Sequence, residues 1–361
     1  MIKKFKAHRL FACICFITIF LFGCVDVDDG PQEEWHLKKI LSGHHKSVES
    51  IEFSSDGDWV LSASIDNTAR VWSAETGQTI QVIEGEGRRK ESAKFSPDNS
   101  SVITAGSSVA EIWSVETGRK LLTLKGKGRD YSLRDTIRSA EFDPSGERVV
   151  TTRANPNLSA RIWDLSKGQP ILTLNENRLG RLSIGDFNTA RFSPDGRRIL
   201  TAGRTYTKQR NPNVLREWNS RSGRRKTNIG LGAERVHTAG YSENGKFIVA
   251  VHSGSAPTNL EDLRQAQEVT ILDANTGNKL LSLEALHTGR INDAKFNREG
   301  SRLITASSDK TARIWDTSSG SMLALLEHPD TVNAAAFNPY GDCVATASRD
   351  NKVRIWCAAS E

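Results

Sequence analysis

The chain has 361 residues, 37% hydrophobic and 25% charged, which excludes a disordered tail and leaves ample chain for a large core. Its net charge of +6 is unevenly spread: residues 1–23 hold Lys3, Lys4, Lys6 and Arg9 and no acid, residues 24–34 hold five acids and no base, and the body is basic. Aromatic residues make up only 7%, yet eight are Trp against four Tyr, so a rule places the Trp.

Residues 1–9 form a positive segment and Leu10–Phe22 an apolar run. As a helix that run reaches roughly 20 Å, against about 30 Å for a hydrocarbon core, so it fits an export signal better than a membrane span. It ends in Leu21-Phe22-Gly23-Cys24, which resembles the lipobox of bacterial lipoproteins. The resemblance implies a lipoprotein signal peptide over 1–23, cleavage before Cys24, and membrane attachment through lipid on Cys24. Phe22 departs from the small or β-branched residue usual in its slot. An ordinary cleaved signal, or an uncleaved anchor with Cys24 there by chance, is the alternative. Residues 24–34, with Gly30-Pro31 and no apolar period, read as an acidic flexible tether. In lipoproteins of two-membrane bacteria, Asp directly after the Cys favours the inner membrane. Val25 stands there, so the resemblance favours the periplasmic side of the outer membrane in the bacterial cell envelope.

From Trp35 onward the chain is repetitive. Six Trp share one context, as in Arg70-Val71-Trp72, Glu111-Ile112-Trp113, Arg161-Ile162-Trp163, Arg216-Glu217-Trp218, Arg313-Ile314-Trp315 and Arg354-Ile355-Trp356, and Leu272 takes the same slot in a seventh copy. The slots are spaced 41, 50, 55, 54, 43 and 41 residues apart. A second marker, an aromatic residue followed by a tight turn, also occurs seven times: Phe53-SSDG, Phe95-SPDN, Phe142-DPSG, Phe192-SPDG, Tyr241-SENG, Phe296-NREG and Phe337-NPYG. The two markers alternate without a miss. Each unit therefore reads as strand a, hairpin, strand b, loop, strand c, hairpin, strand d.

Over residues 35–361 this pattern resembles the WD40 family. The resemblance implies an all-β, seven-bladed β-propeller of four-stranded antiparallel blades with one core running round the ring. The last unit stops after strand c, and Trp35–Leu41 reads as a strand d before Gly43-His44, so the N-terminal strand is expected to close the last blade. An eight-bladed alcohol-dehydrogenase-like propeller is the other fold considered, but its Trp follows the Thr-Gly turn, whereas here it precedes it. Cys343 and Cys357 flank the turn at Asp350 at equal separation, compatible with either a cross-strand disulfide or two small buried apolar residues.

The resemblance also implies a buried polar network of His, Ser or Thr, Asp and Trp. The matching positions are His44, Ser62, Asp66 and Trp72, then His287, Thr305, Asp309 and Trp315, then His328, Thr346, Asp350 and Trp356, with Ser64, Ser307 and Ser348 as alternative strand-b members. Threefold recurrence argues against a catalytic triad, and no nucleotide-binding or metal-binding motif is present. We therefore expect no enzyme activity, no cofactor and no metal.

Blades 3–5 carry insertions at Lys125–Arg138, Asn175–Thr189, Arg153–Ala160, Gly203–Leu215 and His252–Glu268. All five are d–a or b–c connections, which leave an antiparallel blade at the same end. Inserted loops on a rigid scaffold are where binding is usually built. The basic residues of these insertions, Arg129, Arg134, Arg138, Arg153, Arg204, Lys208 and Arg210, together with Arg88, Arg89 and Lys90, which add to the same face from the connection into blade 2, form a basic patch over blades 2–4 and are the binding candidates for a protein partner, an acidic one included. The sequence reading is thus a lipid-anchored extracytoplasmic scaffold, a monomer within a complex, without nucleic acid. The rival is an enzyme or a small-ligand or polysaccharide binder using the central channel or the basic loop face.

Overall fold

The computed structural model describes residues 33–85, 89–106, 109–125, 136–154, 160–174, 185–205, 215–231, 235–253, 267–283 and 287–359. Among these, twenty-eight strands form seven four-stranded antiparallel sheets. Blade 1 is typical: β2 (Val48–Phe53), β3 (Trp59–Ser64), β4 (Thr68–Ser73) and β5 (Thr79–Glu84) pair in sequence order. The turn between β2 and β3 needs a left-handed residue, supplied by Gly57 at φ 83° and, in blade 2, by Asn99 at φ 60°. The sevenfold expectation and the strand order hold.

Ring closure also follows the sequence reading. β1 (Trp35–Ser42) pairs antiparallel with β28 (Lys352–Ala358), bringing Leu41 opposite Val353 and Trp35 opposite Ala358. Two polar contacts fasten the same seam. The Asn333 side chain donates to the Val48 carbonyl at 2.8 Å, and Tyr340 Oη donates to the Asp56 carbonyl at 2.9 Å.

The single continuous core expected from the repeats is instead seven separate clusters, each lying between two neighbouring blades. The cluster joining blades 7 and 1 contains Leu41, Val48, Trp72, Val353 and Ile355; the other six repeat that arrangement round the ring. Each four-stranded blade has two apolar faces and so contributes to the cluster on either side. The first residue of strand b reinforces these junctions. Trp59 lies 6.4 Å from Phe95 of the next blade and Phe247 6.1 Å from Phe296. In blades 3 and 4 an arginine takes that place and stacks instead: Arg148 lies 5.3 Å from the Phe192 ring and Arg198 5.4 Å from Tyr241. Arg198 also donates to the Ala274 carbonyl at 2.9 Å, so one side chain links two blades by ring and by backbone.

Cys343 and Cys357 face each other across strands b and c of blade 7 and are joined as a disulfide, with Cα atoms 4.0 Å apart. Of the two alternatives read from their spacing, the bonded one is adopted. The strands beside the insertions are longer than the sequence boundaries implied: β11 (Arg148–Ala154), β15 (Arg198–Thr205) and β19 (Phe247–Ser253) run on into them.

Candidate functional site: the loop face and the central channel

Each blade sends its d–a and b–c connections to one face of the ring, here called upper, and its a–b and c–d turns to the lower face. Of the basic candidates, Arg89 and Arg138 are exposed on the upper side. Arg153 pairs within blade 3 opposite Ile137, and Arg204 lies opposite Asp186 within blade 4. Arg88, Arg129, Arg134, Lys208 and Arg210 lie outside the described residues, as do Cys24 and the whole signal segment. Lys90, which follows Arg88 and Arg89 in one basic run, does not join that surface. It is buried, with its Nζ 2.9 Å from Glu111 Oε2.

The polar networks are built as follows. In blade 1, His44 Nδ1 lies 2.8 Å from Asp66 and Nε2 2.8 Å from Ser62 Oγ, to which the Trp72 indole N–H also donates at 2.8 Å. Blade 6 repeats this with His287, Asp309, Thr305 and Trp315. In both, the next backbone N–H, of His45 or Thr288, donates to the same Asp oxygen. Ser62 and Thr305 are the strand-b members; Ser64 Oγ donates elsewhere, to the Lys46 carbonyl.

Blade 7 departs from the expected set. His328 still meets Thr346 at 2.8 Å, and Trp356 donates to Thr346 at 3.2 Å, but His328 Nδ1 faces the Leu326 carbonyl at 3.1 Å. Asp350 pairs with the Arg354 guanidinium instead. The cause is Pro329, which follows His328 and has no N–H to offer the carboxylate. Blades 2–4 keep half of the network: Trp113, Trp163 and Trp218 donate to Thr104, Thr151 and Thr201. A buried indole N–H needs an acceptor, so this pairing survives where the His and Asp do not.

These histidines make stability pH-dependent. Burial lowers His44 and His287 against the opposing pull of Asp66 and Asp309, and burial together with nearby Arg354 pushes His328 down to about 4. The unfolded chain takes up these protons near pH 6.5 and the folded one resists them. Stability is therefore complete above about pH 6.5 and is lost as pH falls toward 4. For His328 alone the full loss is about 3 kcal/mol. Urea midpoints should fall between about pH 7 and pH 4.5, and fall less for His328→Gln; a flat wild-type profile would contradict this.

The channel is walled by the seven a strands. In six of them a bulge displaces one residue from the pairing register, at Glu49, Arg138, Asn188, His237, Asn292 and Asn333. All six line the upper mouth, a cavity of about 260 Å³. A bulge re-aims a side chain, and three of the Asn use this to reach the next blade: Asn188 donates to Val236 O, Asn292 to Val332 O and Asn333 to Val48 O. Arg138 donates to Asn188 Oδ1 at 2.7 Å.

Deeper in the channel, the residue before each repeat aromatic forms a charged ring: Glu52, Lys94, Glu141, Arg191 and Lys295, interrupted by Gly240 and Ala336. Lys94 meets Glu52 at 2.7 Å, and Lys295 meets Asp293 at 3.0 Å and the Ile51 carbonyl at 3.1 Å. The Arg191 side chain lies against blade 5 beside Gly240. Burial raises Glu141 and lowers Lys295. A second cavity of about 340 Å³ opens from this ring to the lower face. Among the described residues no three His, Cys, Asp or Glu side chains converge on a metal-sized site. The ring's ionic groups are largely engaged with one another or with backbone, which suits binding of charge better than proton transfer.

This architecture defines a seven-bladed propeller. Three of its stretches, residues 35–73, 278–316 and 320–357, match the WD40 family model, the WD domain, G-beta repeat. Similar proteins include the chromatin assembly factor 1 subunit FAS2 homolog of Oryza sativa subsp. japonica, 40% identical over 67 residues, which is 19% of this chain and 13% of that protein. The Notchless protein homolog of Arabidopsis thaliana is 42% identical over 55 residues, 15% of this chain and 12% of that protein. Eukaryotic translation initiation factor 3 subunit I of Eremothecium gossypii is 22% identical over 296 residues, 80% of this chain and 66% of that protein. The chain thus spans about an eighth of the first two relatives and just under two thirds of the third.

Proposed function

We propose that this protein is a lipid-anchored, extracytoplasmic WD40 scaffold that presents the loop face of blades 3–5 to a protein partner, as a monomer within a complex. WD40 propellers generally bind partners within complexes and are typically non-enzymatic, and fold alone does not specify the partner. The observation that carries the reading is positional. The insertions fall in connections at the upper end of three adjacent blades, on the side where Arg138 of blade 3 and Arg89 of the connection into blade 2 are exposed, so the irregular, basic part of the ring is concentrated on one face.

The lipid anchor rests on Leu21-Phe22-Gly23-Cys24, and the topology is compatible with it. As a strand d, β1 starts at the lower face, where Glu33 N–H donates to the Leu323 carbonyl. Residues 25–34 reach roughly 34 Å when extended, so an anchor at Cys24 joins the ring at its lower face and leaves the upper face free to meet a partner. Crosslinking in the native membrane followed by mass spectrometry tests the reading. Wild type should capture a partner, and Arg129, Arg134, Arg204 and Arg210 all changed to Glu should abolish capture. Cys24→Ser should lose incorporated palmitate and membrane attachment. Undiminished capture by the charge-reversed variant would refute the loop-face assignment, and undiminished attachment of Cys24→Ser the anchor.

A further inference from the structure

The upper mouth of the channel has a charge pattern of its own, separate from the loops above it. Six Lys or Arg side chains line it, namely Lys94, Arg138, Arg191, Arg235, Arg290 and Lys295, against the acids Glu49, Glu91 and Asp293. Arg138, Arg235 and Arg290 lie on blades 3, 5 and 6, where the one acid, Asp293, is paired with Lys295, and Glu49 and Glu91 lie on blades 1 and 2. Arg235 and Arg290 occupy equivalent places, each directly before the a strand of its blade. His237 stands between them on the bulge of blade 5, and its Nδ1 is buried with no hydrogen-bond partner. Burial and the two neighbouring arginines push this histidine down to about 3, so at neutral pH it is an uncharged ring with an unused polar atom.

We propose that the upper channel mouth is an oxyanion site in which Arg138, Arg235 and Arg290 meet the charge of carboxylates on an acidic peptide segment of the partner, and His237 supplies a neutral hydrogen bond. This deepens the loop-face reading and rests on it. An extended segment fits better than a small free anion for two reasons. Arg138, Arg235 and Arg290 are spread over blades 3, 5 and 6 of the mouth, which suits several carboxylates along one chain better than a single anion. Arg138 is also the last residue of the basic insertion Lys125–Arg138, so the mouth is continuous with the face on which the partner is expected. Glu49 and Glu91 on blades 1 and 2 repel the same segment and bias it toward the arginines of blades 5 and 6. A carboxylate paired with Arg in a cavity of this polarity gains from charge-assisted hydrogen bonds.

The test uses the purified full-length chain and a fluorescein-labelled hexaglutamate peptide, read by fluorescence anisotropy at low salt. Wild type should bind it, more weakly as salt rises, and should not bind hexalysine. Arg235→Gln with Arg290→Gln should weaken binding at least tenfold, and His237→Phe severalfold, while Arg224→Gln on the lower face leaves it unchanged. Arg138→Gln provides a second reading should the double variant lose its wild-type thermal unfolding. Citrate and inorganic phosphate serve as competitors. Absence of hexaglutamate binding, equal binding by the folded variants, or binding of citrate or phosphate without binding of the peptide would each overturn the proposal. Membrane crosslinking separates the two readings. A partner captured equally by the Arg235/Arg290 variant leaves the scaffold standing and removes the channel site. Hexaglutamate binding without any captured partner does the reverse.

Discussion

A chain lacking residues 1–42 is expected to lose cooperative unfolding and to self-associate. β1 supplies the fourth strand of blade 7, and its Leu41, 2% exposed, sits in the cluster that joins blades 7 and 1. Without it, β28 presents an unpaired edge carrying Val353 and Ile355, a template for pairing with another chain. The other blades cannot compensate, because each core lies between two neighbours and an open ring leaves a core half covered. Supplying a synthetic peptide of residues 33–44 should restore a single sharp transition. The point variant Leu41→Ala isolates the packing part of the effect and should cost about 2–5 kcal/mol. Circular dichroism and size-exclusion chromatography read the outcome. A monomeric truncated chain with an unchanged melting temperature would mean that the ring does not depend on this seam.

The number of blades, their strand order and the closing strand were legible because each leaves a local mark. Trp72 and its equivalents, and Phe53-SSDG and its equivalents, are one strand and one turn apart, so alternation alone counts the units. Junctions between blades leave no such mark. Arg148 and Arg198 looked like ordinary strand starts, since nothing along the chain says that each reaches the aromatic of the following blade. The same holds for the bulge residues. Asn188, Asn292 and Asn333 sit four places before an aromatic and look like polar residues at a strand entrance, yet each bonds the next blade. The blade 7 network is a different case, because its signal was present. Pro329 after His328 removes a donor that His45 and Thr288 provide, and that alone predicts that Asp350 must find another partner. That partner is Arg354, four residues on. The burial of Lys90 is illegible for the opposite reason: it stands in a run of three basic residues, and charge patterning cannot tell which member turns inward.

That inward turn gives the second large effect. In blade 2, Lys90 is 2% exposed and Glu111 0%, with Lys90 Nζ and Lys120 Nζ at 2.9 and 3.2 Å from the two Glu111 oxygens. Both cations also lie beside the Trp113 ring, at 5.9 and 5.8 Å. Gly85 has no space for a side chain because Glu111 and Lys90 occupy it. The blade thus carries an ion network in place of the His and Asp of blades 1 and 6. Glu111→Ala should destabilise the protein by about 3–5 kcal/mol, because it leaves a buried charge without its partner. Lys120, one third exposed, can swing into water; Lys90 cannot, since its backbone N–H is also held by the Ser64 carbonyl of blade 1. The double variant Lys90→Met with Glu111→Leu removes both charges, fills similar volume, and should recover most or all of the loss. A double-mutant cycle in urea gives the coupling directly, and the penalty should persist in high salt because ions do not reach the pair. If Glu111→Ala costs less than about 1 kcal/mol, the range of exposed pairs, or if the double variant is no more stable than the single one, then Lys90 is hydrated and blade 2 is held by its Trp113–Thr104 contact and apolar packing alone.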